Sequence, residues 1–137
     1  MARFRAQQAG RRRFDEFGWW LVACTSPEIP TSALVECCDE LSRARCDDFG
    51  LWRLLGDELA ERLESRGARC PTALEAVSLL RSLAGVSCRH RKALRALELF
   101  PPLRQDLRPG EALRLLVACG QLRACEGLAP KACQLIA

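Results

Sequence analysis

Glu75-Ala76-Val77-Ser78-Leu79-Leu80 returns as Glu111-Ala112-Leu113-Arg114-Leu115-Leu116, at an offset of 36 residues. That offset is the length class of a stacked helix-turn-helix unit. Just ahead of the first copy, Thr72 and Glu75 have capping-box spacing. In such a box the Thr hydroxyl takes one free backbone N–H of a helix start and the Glu carboxylate returns to another. A helix is therefore predicted over 72–85, with Val77, Leu80 and Leu83 or Ala84 inward and Gly85 at its end. Pro109 suits the first position of the second copy, because an N–H there has no partner inside the helix. That helix is predicted over 109–120, lined by Leu113, Leu116 and Cys119 and closed by Gly120.

Working outward, punctuation and a three-to-four-residue apolar period mark further helices. Arg89 opens one over 89–100, with Ala93, Leu94, Leu97 and Phe100 inward, until Pro101-Pro102 stops it. A terminal helix runs over 124–136, with Pro130 able to delay its start. Upstream, Asp47 or Asp48 caps a long helix reaching Arg66, whose Trp52, Leu55, Leu59 and Leu63 recur along one face. Thr31-Ser32 offers a cap for a helix over 33–44. A leading helix is predicted over 13–24, bearing Phe14, Phe17, Trp19, Trp20 and Leu21, with Pro27 and Pro30 beyond it.

Leu and Ala dominate the 49% of hydrophobic residues, and Tyr is absent. Such side chains lose little freedom in helices, whereas β-branched and aromatic ones prefer strands. The reading is all-α. Pairs 33–44 with 48–66, 72–85 with 89–100, and 109–120 with 124–136 each carry stripes that neither helix buries alone. Lateral stacking removes those stripes from water and predicts a short solenoid of about three pairs plus the leading helix. A compact irregular bundle is the other arrangement the pattern allows. At 137 residues there is room for one such domain, over 14–137, after a basic extension over 1–13.

Charge is modest overall at +4 but unevenly placed. Residues 1–20 hold five Arg against two acids, 21–65 four Arg against ten acids, and 66–137 twelve Lys or Arg against five acids. A chain with an acidic middle and basic ends suits a protein between unlike neighbours, one of them nucleic acid. No apolar run reaches the length of a membrane span. The first 13 residues are Arg-rich and free of acids, as mitochondrial presequences are, and equally suit a retained binding extension.

Nine cysteines, an odd number without a CxxC pair, indicate neither a closed disulfide set nor a zinc ribbon. They read as small apolar residues on helix faces in a compartment that does not form disulfides. Whether Cys119, Cys125 and Cys133 converge is left open by spacing alone. No phosphate loop, GxGxxG, HExxH or GxSxG motif is present, so no enzyme, cofactor or metal site is expected. His90, the single histidine, is expected to face solvent or phosphate. Glu36, Asp39, Glu40, Asp47 and Asp48 read as caps and solvated faces.

The units PTALEAVSLLRSLAGVSCRHRKALRAL, over 71–97, and RPGEALRLLVACGQLRACEGLAPKACQLIA, over 108–137, resemble degenerate helical repeats of organellar RNA-associated proteins. These are the octotricopeptide and heptatricopeptide groups and the helical region that precedes RAP domains in FAST-kinase-like proteins; no RAP domain is visible here. The resemblance implies a mitochondrial-matrix ribonucleoprotein setting. The expected role is a non-catalytic structural subunit, foremost of a mitochondrial ribosome. It would touch rRNA phosphates through Arg3, Arg5, Arg11, Arg12, Arg13, Arg89, Arg91, Lys92 and Arg95. Neighbouring subunits would take Trp19, Trp20, Leu135 and Ile136. A scaffold subunit of a respiratory or ATP-synthase complex and a free RNA-processing factor are the alternatives.

Overall fold

The computed structural model describes residues 28–65, 67, 69–105 and 107–136. The leading helix, the extension, Arg3, Arg5, Arg11, Arg12, Arg13, Trp19 and Trp20 lie outside them. Among the described residues the chain is all-helical, without strands: α1 Thr31–Arg43, α2 Phe49–Glu64, α3 Ala73–Gly85, α4 Arg91–Glu98, α5 Pro102–Gln105, α6 Pro109–Leu122 and α7 Ala129–Ile136. A 3-10 turn, Glu126–Leu128, precedes α7.

Helix starts follow local chemistry. Asp48 Oδ1 accepts the Leu51 N–H at 3.1 Å and opens α2. The capping box at α3 is complete: Glu75 N–H donates to Thr72 Oγ1 at 3.2 Å and Thr72 N–H to Glu75 Oε1 at 2.9 Å. The repeated glutamate does the same work at α6, where Arg108 N–H donates to Glu111 Oε1 at 3.0 Å and Pro109 occupies the first turn. Arg108 has no side-chain acceptor, so this start has only the glutamate half of the box. Thr31 departs from expectation. It lies inside α1, which Pro30 precedes, and its hydroxyl donates to the Arg69 carbonyl at 2.5 Å instead of capping.

Helices α1, α3 and α6 end in one and the same turn. Cys46 N–H bonds to Leu41 O, Cys88 N–H to Leu83 O and Ala124 N–H to Cys119 O, at 3.0, 2.8 and 3.1 Å. The preceding residues, Arg45, Ser87 and Arg123, are left-handed at φ 54°, 54° and 51°. This is the Schellman ending, here without the glycine that usually supplies the positive φ. It also corrects the expected end of α6: Gly120 stays inside the helix, which runs on to Leu122.

Each such turn leads toward the next helix in the chain. Helix α1 lies against α3, α3 against α6, α2 against α4, and α6 against α7. Gly85 lets α1 and α3 approach closely, for a Cβ there would strike Ser42 Oγ. The core holds the predicted Trp52, Leu55, Leu59 and Leu63 of α2, Val77, Leu80, Leu83 and Ala84 of α3, and Ala93, Leu94, Leu97 and Phe100 around α4. Full burial of each leucine contributes about 1.5–3 kcal/mol. Trp52 satisfies its indole N–H at 2.8 Å on the carbonyl of Cys46, inside the first Schellman turn.

Helix α6 is turned from its predicted face. Ala112, Leu115, Ala118, Cys119 and Leu122 are buried, while Leu113 and Val117 stand 53% and 52% exposed. Two stripes of similar hydrophobicity compete on this helix. The one with Ala112 and Ala118 wins because small side chains let a helix backbone pack close to its neighbour. Leu116 is left half-buried.

One polar cluster lies in the interior. Arg62, fully buried, donates from Nε to Glu58 Oε2 at 2.7 Å and from Nη1 to Ile29 O at 2.7 Å and Thr31 Oγ1 at 3.1 Å. Arg69 Nη2 reaches the same Glu58 oxygen at 2.6 Å. Arg62 thus ties the far end of α2 to the start of α1, and the Glu58 carboxylate ties it to the strap before α3.

Candidate anion-binding site

The first turn of α4 carries Arg91 and Lys92, with Arg89 just before it and Arg95 one turn on, all four exposed. A helix N-terminus bears the positive end of the backbone dipole, so cations there are mildly unfavourable. The Schellman turn after α6 brings a further guanidinium to this place. Arg89, Arg91, Arg95 and Arg123 line one groove of about 500 Å3, together with Leu94, Glu98, Ala124 and Cys125. Lys92 is exposed beside the groove without lining it.

None of these arginines forms an ion pair among the described residues. Arg89 Nη2 points at the Arg123 carbonyl from 3.5 Å, long for a hydrogen bond. Glu98, the acid in the lining, is engaged elsewhere: its Oε2 accepts the Gly127 N–H at 3.3 Å. Four fixed positive charges against one negative leave the groove a strong attractor of anions, and guanidinium forks match phosphate oxygens two at a time.

His90 does not face the groove as a ligand. Its Nδ1 accepts the Ala93 N–H at 3.1 Å, so it caps α4. A backbone N–H can only donate, which leaves the ring proton on Nε2, 3.1 Å from Asp57 Oδ1 on α2. The expectation of a solvent- or phosphate-facing histidine is therefore corrected to a capping residue that joins α2 and α4.

Arg123 was missed in the sequence. Its signal was the 36-residue offset itself, which aligns Arg123 with Ser87, two residues before Arg89, and so places it on the turn that the first repeat uses to enter its basic helix.

Of the three questioned cysteines, Cys119 and Cys125 are buried and Cys133 is exposed. Cys125 Sγ–H donates to Leu94 O of α4 at 3.2 Å. Interaction between the two buried thiols holds Cys119 below its ordinary 9.0 and, with burial, pushes Cys125 up. Among the described residues no three His, Cys, Asp or Glu side chains gather as a metal site.

A larger groove of about 800 Å3 crosses α1, α3 and α6. Glu36, Asp39 and Glu75 face Arg43, Arg81 and Arg114 in it, beside the exposed Leu113 and Val117, and Asp39 is paired with Arg43 at 2.8 Å. Its charges balance, so it selects neither anion nor cation. At the chain's end Leu135 is half-buried and Ile136 exposed. No helix among the described residues is long and apolar enough to cross a membrane. No protein-family model, curated protein or solved structure matches this chain.

Proposed function

We propose that the chain is a non-catalytic structural subunit of a large organellar ribonucleoprotein, foremost a mitochondrial ribosome, and that the α4 groove grips RNA phosphates. The supporting observation is the placement of Arg89, Arg91, Arg95 and Arg123 around one groove without an ion-pair partner among the described residues. Folding gains nothing from gathering like charges at the positive end of a helix, whereas a bound polyanion repays each of them. The grip is on the backbone and not on base edges, so it positions without reading sequence.

The helix pairs stack as a short solenoid in this reading, supported by the thrice-used Schellman turn and by the α1, α3, α6 succession. The groove across α1, α3 and α6, the exposed Leu113 and Val117, and Ile136 then meet neighbouring proteins. The Arg-rich segment 1–13 adds a second polycation for RNA or a matrix address.

Filter binding of the full chain to structured RNA across a salt series tests the proposal. Replacing Arg89, Arg91, Arg95 and Arg123 with Gln is expected to weaken binding about equally for unrelated RNAs. The salt slope is expected to flatten by about one for each phosphate no longer neutralised. Unchanged affinity and slope would remove the groove from RNA binding. Cosedimentation of the native protein with membrane complexes and not with ribosomal particles would favour the scaffold alternative.

A further inference from the structure

The face shared by α1, α3 and α6 is balanced in charge but one-sided. Gly85 near the end of α3 lies against Ser42 near the end of α1, and Arg89, just past α3, points at the carbonyl of Arg123, just past α6. The three helices therefore run the same way, with α3 between the other two. Glu36, Ser78 and Arg114 each stand nine residues before the left-handed residue of their own turn, so they share one height on the face. One residue nearer the N-terminus come the half-buried Val35 on α1 and the exposed Leu113 on α6. Among the described residues Glu36, Arg81 and Arg114 have no ion-pair partner. Glu75, the acid of α3, is turned to its own cap at the Thr72 N–H. Unpaired acid thus lies on the α1 side and unpaired base on the α3 and α6 side.

We propose that two copies of this chain pair face to face through the α1, α3 and α6 groove, about a two-fold axis that runs along α3. Such an axis exchanges the two sides of the face and preserves height. Glu36 of each copy then meets Arg114 of the other, and Val35 meets Leu113, so that both contacts occur twice, as a self-complementary interface requires. Arg81 stands six residues before its turn, as Asp39 does before its own, and it reaches the second copy's Asp39, whose only partner within the chain is the exposed Arg43. An axis running across the helices would instead set Glu36 on Glu36 and Arg114 on Arg114, which like-charge repulsion disfavours. Three helices side by side span about 30 Å, and the lining runs about 20 Å along them. A face of roughly 600 Å2 per chain reaches the lower bound of roughly 1,200 Å2 for a specific pair, which points to a reversible dimer. This groove and the arginine groove share no lining residue, so the pairing is independent of what the arginines bind.

The test is sedimentation velocity of the full chain over a concentration series, with dithiothreitol present to exclude disulfide-linked dimers. A dimer with Kd of about 10–100 μM is expected, weaker at high salt. E36R and R114E are each expected to weaken it at least about tenfold, because both copies of the contact then oppose like charges. Mixed in equal amounts, the two variants are expected to regain wild-type association, since one contact then joins the two exchanged charges and the other is native. Recovery in the mixture also shows that both variants are folded. A chain that stays monomeric at about 100 μM would overturn the proposal and give this face to another subunit or to residues 1–27. Undiminished pairing of either variant alone, or a mixture that stays monomeric, would overturn it as well. A dimer that binds no RNA would leave the pairing standing and sink the phosphate reading of the other groove.

Discussion

His90 stands so close over Gly56 that a Cβ on the glycine would enter the imidazole ring. Gly56 lies inside α2, where alanine ordinarily gains about 1 kcal/mol over glycine. Here the sign reverses. Gly56→Ala is expected to destabilise by about 1–3 kcal/mol through overpacking. With His90→Asn, which keeps an N-cap acceptor but removes the ring, the same change is expected to become neutral or favourable. Urea denaturation of the four variants measures the cycle, and additive effects would contradict the close approach.

Glu58 holds two guanidiniums, one of them Arg62 in the interior. Glu58→Ala is expected to cost about 3–5 kcal/mol, because the buried Arg62 loses the carboxylate 2.7 Å from its Nε. The exposed Asp39–Arg43 pair, at a similar 2.8 Å, is expected to yield less than about 1 kcal/mol when Asp39 becomes Ala. Replacing Glu58 and Arg62 together with Met should cost less than Glu58→Ala alone. Equal melting of the Glu58 and Asp39 variants would refute the assignment.

The left-handed turns leave room for added stability. Ser87→Gly is expected to stabilise by about 0.5–1 kcal/mol, since glycine adopts the φ of 54° without strain, a benefit partly offset by a freer unfolded chain. Arg123→Gly is expected to raise the melting temperature likewise while lowering RNA affinity, separating stability from binding at one position. A fall in stability for both would mean that the turns are not strained.

Alkaline pH should expose the thiols. Burial pushes Cys46, Cys70 and Cys88 above their ordinary 9.0. As pH rises through that value, the unfolded chain loses these protons before the native one does. Stability is thus fully present below about pH 9 and declines above it. Cys119, held below 9.0, acts in the opposite direction alone. With no Tyr and Lys present only at 92 and 131, few other groups titrate there. Urea midpoints of the reduced chain should drop as pH rises above about 9, less so in Cys88→Ala. A flat profile would show that these thiols ionise freely in the folded chain.

Caps and apolar periods are local, and so the helices at Asp48, Thr72 and Pro109 and the stripes of α2, α3 and α4 were legible from residue order. The repeated glutamate was legible for the same reason, since a capping carboxylate acts on backbone three residues away. Thr31 was not, because its partner is the Arg69 carbonyl, 38 residues on. Gly120 misled as a helix end because a Schellman turn needs a positive φ and not a glycine, and Arg123 supplied it.

Which face of α6 is buried depends on what stands opposite. Its two apolar stripes differ little in hydrophobicity, and the choice fell to the fit of Ala112 and Ala118 against neighbouring helices. The groove is likewise a property of chain folding: Arg89, Arg91 and Arg95 are neighbours by helical period, but Arg123 joins them because a turn 28 residues beyond Arg95 comes back beside α4. Residue order therefore settled where helices begin and which carry charge, through interactions spanning a few residues. Side-chain volume and long-range hydrogen bonds settled which faces meet and which charges converge, because those energies exist only once distant segments touch.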